Sequence, residues 1–383
     1  MKKVLMTATV PSMIGQFNMS NIEILQDLGY QVHIACNFMD TSVWTKERIK
    51  QFVGDMKEKK VMCHQIDFAR SPLGIVNDIK SFRQMNNLFR KNEFSFVHCH
   101  TPVAGVITRI VAHKHKVKTI YTAHGFHFYD GAPKKNWIIF YPIEKVFSKW
   151  TDVLITITKE DYNRAKKKFN AYKTIYIPGV GVDVDRFSNV CIDCSAFRKT
   201  LGINDKDIMI LSVGELNENK NHSAVIKALG KLNDNRIHYC IAGTGYLKDD
   251  LIKLSMENNV SENVHLLGYR TDVPELLKAA DIYILPSIRE GLNVSLMEAM
   301  ASGLPCICGK IRGNVDLIQD GKSGYLIHAT DVDGFAEKIQ LLANNNLIST
   351  IGNNSRKEIK KFDINIVKER MRTVYKSVSE GEV

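Results

Sequence analysis

Short apolar runs rich in β-branched and aromatic residues alternate with longer amphipathic stretches along the whole of this 383-residue chain, and that rhythm constrains the fold more than any other feature. KVLMTATV, YQVHIAC, FSFVHCH, VKTIYTAH, DVLITIT and KTIYIP read as strands in the first half; IMILSVG, IHYCIAG, NVHLLG, DIYILPS, PCICG and GYLI follow in the second. Between them, segments such as MSNIEILQDLG, VNDIKSFRQMNNLFRKN and NHSAVIKALGKLND carry helical spacing. Strand, helix, strand, repeated, implies α/β architecture with parallel sheets wound on both faces. Around 186–206 the rhythm lapses, which places a boundary there: one domain over 1–187 and a second over 188–362, the number expected at roughly 150 residues per domain. Ligands of such sheets bind beyond the carboxyl ends of the strands, so the informative residues should sit just after strands.

The net charge of +11 is unevenly distributed. Residues 1–185 hold 27 Lys and Arg against 16 Asp and Glu, and the remainder hold 25 against 25. The first half therefore reads as facing an anionic partner, or as a solvated basic face. Eight cysteines scattered over a chain without a secretory leader argue for free thiols in a reducing compartment. No stretch approaches the 18 or more apolar residues of a membrane span, WIIFYPI at 137–143 being the longest.

The strongest chemical signal is DIYILPSIREGLNVSLMEAMASGLPCICG, from Asp281 to Gly309. A buried strand leads to Glu290 and Gly291, then to a helix that carries Glu298 about two turns further on. The amides of Gly291, Leu292 and Asn293 would form an anion site at the helix start, and the two carboxylates would hold hydroxyls of one elongated ligand. That layout suits a sugar nucleotide. An ordinary amphipathic helix with two solvated glutamates fits the same residues.

EGLNVSLMEAMASGLPCI resembles the E-x7-E signature of retaining GT-B glycosyltransferases of family 4, which use nucleotide sugars. IPGVGVDVDRF (177–187) is similar to the family's interdomain segment and VGELNENKNH (213–222) to its V-G-R-L-x-x-x-K-G segment, with IAGTG, LLGYRTDVPELLKAADIYILPS and IQDGKSGYLI in order. The resemblance spans nearly the whole chain. It implies two facing Rossmann-like domains with a cleft between them, the first for the acceptor and the second for the nucleotide sugar, with a closing helix over 363–383 returning to the first. It further implies that Glu290 bonds the donor sugar, that Glu298 holds the ribose, that Lys220 sits on the diphosphate, and that His124 lies near the reacting sugar. Gly15, in PSMIGQF, matches the loop after the first strand that lets backbone approach the phosphates, or is a simple turn glycine, and with Gly214, Tyr269 and Arg270 it joins the donor-binding set of Gly291, Leu292 and Asn293. No metal or other cofactor is expected. Two positions depart from the pattern: Glu215 stands where the family has Arg, so that either Lys220 works with Arg289 or Arg312 or the donor is gripped differently, and Gly179 stands where it has Asn.

TATVPSMIGQF, CHTPVAG, TAHGFHFYDGAP and GELNENKNH look most like bacterial enzymes of capsule and exopolysaccharide assembly. The expected reaction is transfer of a hexosyl or N-acetylhexosaminyl unit, from a UDP-sugar for preference, to a lipid-linked saccharide, by a cytoplasmic enzyme on the inner membrane face. APKKNWIIFYPIEKVFSKW offers Lys134, Lys135, Lys145 and Lys149 with Trp137 and Trp150 for an anionic lipid surface, or a core helix with snorkelling lysines. Weaker signals stand beside these: Gly243-Thr-Gly245 for a dinucleotide, His98/His100 and His113/His115 for zinc, and Cys191-x-x-Cys194. No nucleic-acid reader motif is present. A GT-B sugar-nucleotide epimerase and a basic non-catalytic binding protein are the alternative functions.

Overall fold

The computed structural model describes residues 1–70, 75–344 and 347–382. Residues 71–74 and 345–346 of the expected domains, and Val383 of the closing helix, lie outside them. The chain divides into two compact units, Met1–Val180 with Val367–Val383, and Gly181–Ile366.

The first unit is built on β1 (Lys3–Thr7), β2 (Gln31–Cys36), β3 (Met62–Gln65), β4 (Phe94–His100), β5 (Lys118–Ala123), β6 (Val153–Thr156) and β7 (Lys173–Tyr176), in the order β3-β2-β1-β4-β5-β6-β7. The second holds β8 (Ile208–Val213), β9 (Ile237–Ala242), β10 (Val264–Gly268), β11 (Ile282–Leu285), β12 (Cys306–Gly309) and β13 (Gly324–Ile327), ordered β10-β9-β8-β11-β12-β13. Every pairing in both sheets is parallel. In each unit the winding reverses beside the first strand, between β1 and β4 and between β8 and β11. Loops diverge at those two places and open a crevice at the carboxyl edge of the sheet.

Helices cover both faces of each sheet, so a central strand can be apolar throughout: Ile282, Tyr283, Ile284 and Leu285 of β11 are all buried. β3 is the strand that the hydrophobic pattern does not announce. Its sequence is MCHQ, it lies at the sheet edge, and Met62 is 46% exposed. An edge strand seated by β2 on one side alone needs no apolar run.

The helix Ile364–Ser379 packs Val367, Met371, Val374, Tyr375 and Val378 into the core of the first unit. In the same unit Arg109 and Glu144 form a buried ion pair at 3.0 Å, on the helices Pro102–Lys114 and Lys134–Phe147. Tyr121 donates its hydroxyl to the other Glu144 oxygen at 2.8 Å, and the guanidinium stacks 4.2 Å from the Tyr121 ring centre. This pair sets which face of Lys134–Phe147 turns inward. Arg109→Met should therefore destabilise the protein by about 3–5 kcal/mol, because it strands a buried carboxylate, and adding Glu144→Gln should recover much of the loss. Urea denaturation of the single and double variants checks both values.

Candidate active site

The switch point between β8 and β11 holds the site's charged pair. β8 runs out through Gly214 into a single 3₁₀ turn, Glu218–Lys220, whose Lys220 amide donates to the Asn217 side chain at 3.0 Å. Three bonds stitch this turn to the loop after β11: Asn219 Nδ2 to the Arg289 carbonyl at 2.9 Å, the Ile288 amide to the Asn219 carbonyl at 2.8 Å, and Asn221 Nδ2 to the Pro286 carbonyl at 3.1 Å. With both loops fixed, Lys220 Nζ meets Glu290 Oε1 at 2.7 Å, and the two side chains are 17% and 14% exposed. The Lys220 stem crosses over Gly214, where a Cβ would come within 3.0 Å of Lys220 Cε.

Gly243 and Gly245 are explained by the same crowding. A Cβ on Gly243 would overlap the Gly214 carbonyl, and one on Gly245 the Leu216 carbonyl. The G-x-G therefore marks one loop lying directly on its neighbour's backbone, which accounts for it without a dinucleotide.

The helix after β11 spans Val294–Ser302, opening three residues later than a start at Gly291. Asn293 is its N-cap and accepts the Leu296 amide at 3.1 Å through its side chain. The amides of Gly291, Leu292 and Asn293 donate to no group among the described residues. Three unbonded donors following Glu290, the partner of Lys220, could accept an anion, now on the loop ahead of the helix. Ser295 ties the helix down through Tyr283 at 2.6 Å and the Val213 carbonyl at 3.2 Å.

Glu298 lies two turns along that helix. Burial pushes its carboxyl up to about 7, against the opposing pull of Arg186 on the helix Val184–Ser188. A carboxyl that hard to ionise without a partner is matched to a ligand that brings hydrogen-bond donors.

In the first unit, His124 follows β5 and its Nε2 lies 3.1 Å from His100 Nδ1. His98, two residues before His100 on β4, bonds Tyr375 at 2.9 Å and Thr122 at 2.8 Å. Burial lowers all three rings, His98 to about 3, His124 to about 4 and His100 well below its ordinary value, so each is neutral at pH 7. His100 and His124 line a cavity of about 40 Å³ with Phe17, Asn18 and Thr122. The i, i+2 spacing of His98 and His100 suggests zinc, whereas in the structure His100 meets His124, a contact no local spacing reports. His113 and His115 separate, one stacked on Trp150 and the other bonded to Asn86. No group of three or more His, Cys, Asp or Glu among the described residues is placed to hold a metal.

Several expected site residues are placed otherwise. Gly15 is not in a loop: it lies within the helix Pro11–Phe17, where a Cβ would overlap the Trp44 indole, so its small size serves aromatic packing. Tyr269 is 80% exposed on the loop after the edge strand β10. Arg270 beside it is engaged by Asp272 at 2.8 Å. Glu215 is exposed and accepts from Asn217, Arg289 is exposed and Arg312 is buried, so Lys220 is the cation that meets Glu290. Gly179 has φ +64, in the left-handed region that Gly and Asn adopt most readily, which explains how one replaces the other. On Lys134–Phe147 the tryptophan turns inward: Trp137 packs on Phe128 and Arg164, and beyond the helix Trp150 packs on His113 and Phe147. The outward apolar residues are Ile138, Ile139 and Val146, at 74%, 46% and 52% exposure, accompanied by exposed Lys134, Lys135, Lys145 and Lys149.

Two doubly wound parallel units, one presenting a lysine and three unbonded amides at its switch point, are the architecture of GT-B glycosyltransferases. Residues 194–361 match the family described as glycosyl transferases group 1, and residues 15–158 match glycosyl transferase 4-like. The chain is 34% identical over 382 residues to EpsD of Bacillus subtilis (strain 168), covering 98% of this chain and 96% of that one. It is 29% identical over 295 residues to the UDP-Gal:alpha-D-GlcNAc-diphosphoundecaprenol alpha-1,3-galactosyltransferase of Escherichia coli, covering 75% and 76%. Among solved structures, Anabaena Alr3699/HepE in complex with UDP-glucose superposes with a TM-score of 0.77 at 17% identity, over 98% of this chain and 100% of that one. The protein belongs to the group 1 glycosyl transferases, and it is a glycosyltransferase.

The Glu298 environment yields a direct test. In the ligand-free protein its carboxyl should titrate near 7, and Arg186→Ala should move it higher. Because the folded value is raised, the folded chain takes up this proton between about 7 and the ordinary 4.5, and Glu298 favours folding more as pH falls through that window. Carboxyl ¹³C NMR of the parent and of Arg186→Ala checks the titration.

Proposed function

We propose that the chain transfers a sugar from a UDP-sugar, with retention of configuration, to a lipid-linked saccharide in bacterial surface polysaccharide assembly. The observation that carries the reading is the 2.7 Å Lys220–Glu290 contact at the β8/β11 switch point, next to the unbonded amides of residues 291–293. A diphosphate bridging Lys220 and those amides has its leaving charge met as it develops, without a metal. Glu290 stays beside Lys220 to hold the sugar, and Glu298 takes the ribose hydroxyls. His124, neutral and half-buried in the first unit, is assigned to the reacting sugar, and the same unit to the acceptor. The departing phosphate oxygen takes the acceptor's proton.

The Escherichia coli relative is named for UDP-Gal and for an acceptor on diphosphoundecaprenol, and HepE was solved with UDP-glucose, which favours UDP and a lipid-borne acceptor. A hexose or N-acetylhexosamine is the matching donor sugar. No helix among the described residues is long and apolar enough to cross a membrane. The face of Lys134–Phe147 that shows Ile138, Ile139 and Val146, with Lys134, Lys135 and Lys145 on the helix and Lys149 in the turn beyond it, suits docking on anionic lipid at the inner membrane surface.

Thermal unfolding against a panel of UDP-, GDP- and other nucleotide sugars should single out a UDP-sugar, with about 2.7 kcal/mol of stabilisation at a hundredfold excess over Kd. Conversion of that compound with no acceptor present would instead mean an epimerase. Lys220→Ala should lower turnover by about 10²–10³ and weaken donor binding, and unchanged values for both defeat the assignment.

Ligand hydroxyls that donate to Glu298 favour its ionised form, so donor affinity should fall by up to about fivefold between pH 7 and pH 6, and Glu298→Gln should flatten that dependence. Calorimetry with the selected nucleotide sugar measures both. In flotation with vesicles containing anionic lipid, the parent should rise with the vesicles. A variant with Lys134, Lys135, Lys145 and Lys149 replaced by Gln should stay behind, and equal flotation removes this face from the proposal.

A further inference from the structure

We infer that His100 is a positioning residue that fixes His124 in its Nδ1–H tautomer, so that His124 presents a hydrogen-bond donor and not a lone pair. The inference rests on the reading that His124 meets the transferred sugar. Its physical basis lies within the first unit.

His124 Nε2 and His100 Nδ1 are 3.1 Å apart, and between two neutral rings one of these nitrogens carries the proton. The other His100 nitrogen decides which. His100 is 0% exposed, and its Nε2 has no hydrogen-bond partner. If His100 carried its proton on Nε2, a buried N–H would be stranded; if on Nδ1, only a bare lone pair is left. Buried N–H groups without partners are the rarer and costlier case. His100 therefore donates from Nδ1 to His124 Nε2. The remaining nitrogen of His124, Nδ1, must then carry that ring's proton. A neutral histidine free in water favours the opposite tautomer, so this state exists only because His100 imposes it.

The support extends one layer further. The His98 ring centre lies 4.1 Å from that of His100 and blocks its rotation. His98 is itself held at both nitrogens, by Tyr375 on the helix Ile364–Ser379 and by Thr122 on β5. Both partners are hydroxyls, which can turn to donate or accept, so His98 fixes the position of His100 without dictating its proton.

The test is ¹⁵N NMR of the full chain labelled in its histidine rings, with His124→Gln used to assign the signal. The parent should show His124 protonated on Nδ1. His100→Phe, which keeps the ring volume and removes both nitrogens, should return His124 to the Nε2–H form. His100→Asn, whose amide N–H can reach the same acceptor, should restore Nδ1–H. Turnover of the nucleotide sugar selected by thermal stabilisation should fall tenfold or more in His100→Phe, with donor KM within twofold, and should recover in His100→Asn. An Nε2–H His124 in the parent overturns the inference, and so does a folded His100→Phe with unchanged turnover. Should His100→Phe not fold, the parent spectrum alone decides. A His124→Ala variant of normal turnover defeats the wider reading of His124 instead, and leaves the tautomer result standing.

Discussion

The Lys220–Glu290 pair depends on a loop pair held rigid at the place where the second sheet reverses its winding. A lysine stem has many rotamers, and an exposed ion pair gains little from its charges. Here the stem lies across Gly214, the turn beneath it is bonded to the loop that carries Glu290, and both charged groups are largely covered. The cost of ordering the side chain is met in folding, so a ligand finds the cation already in place. Gly243 and Gly245 belong to the same device, because they allow the loop after β9 to press on the loop after β8.

Much of this was legible in the sequence because parallel strands buried on both faces must be written as apolar runs. DIYILPS, IMILSVG and FSFVHCH contain β11, β8 and β4, and Glu290, Glu298 and Lys220 follow from motifs anchored to the first two. β3 was illegible because an edge strand need satisfy one neighbour only. Gly15 was misread for a related reason. A glycine after a first strand signals a phosphate loop when its surroundings are unknown, but here the missing Cβ makes room for Trp44, some thirty residues further along the chain. The start of the helix at Val294 turned on one side chain, since Asn293 caps it and leaves the preceding amides free. No period in the sequence reports a cap's rotamer.

The aromatic and basic helix shows how far composition can carry a reading. Lysines and large apolar residues on one stretch predicted both a membrane face and a core helix, and Lys134–Phe147 has both characters at once. Trp137, Phe140 and Tyr141 pack toward the interior with Glu144, while Ile138, Ile139 and Val146 face out among the lysines. What the sequence lacked was the rotation of the helix. The buried Arg109–Glu144 pair supplies it, because a carboxylate bonded at both oxygens inside the core leaves one inward direction for that helix. A polar pair in the interior thus selects an orientation that the apolar residues, present on every side, could not.

The charges of the two units also divide the chemistry. Burial keeps His98, His100 and His124 neutral, so these rings bring no cation to the carboxyl edge of the first sheet. An imidazole whose conjugate acid has a pKa of about 4 is a poor base near neutrality, and His124 is suited to hydrogen bonding and not to taking a proton. The positive charge that meets a leaving phosphate must come from elsewhere. On the function proposed above it comes from Lys220 in the second unit, assisted by amides that carry no net charge. With His124 too weakly basic to deprotonate an acceptor hydroxyl, the phosphate oxygen that leaves the sugar is the natural proton acceptor. It develops its negative charge as the hydroxyl becomes acidic, and a departure from the same face on which the acceptor arrives gives retention in a single step.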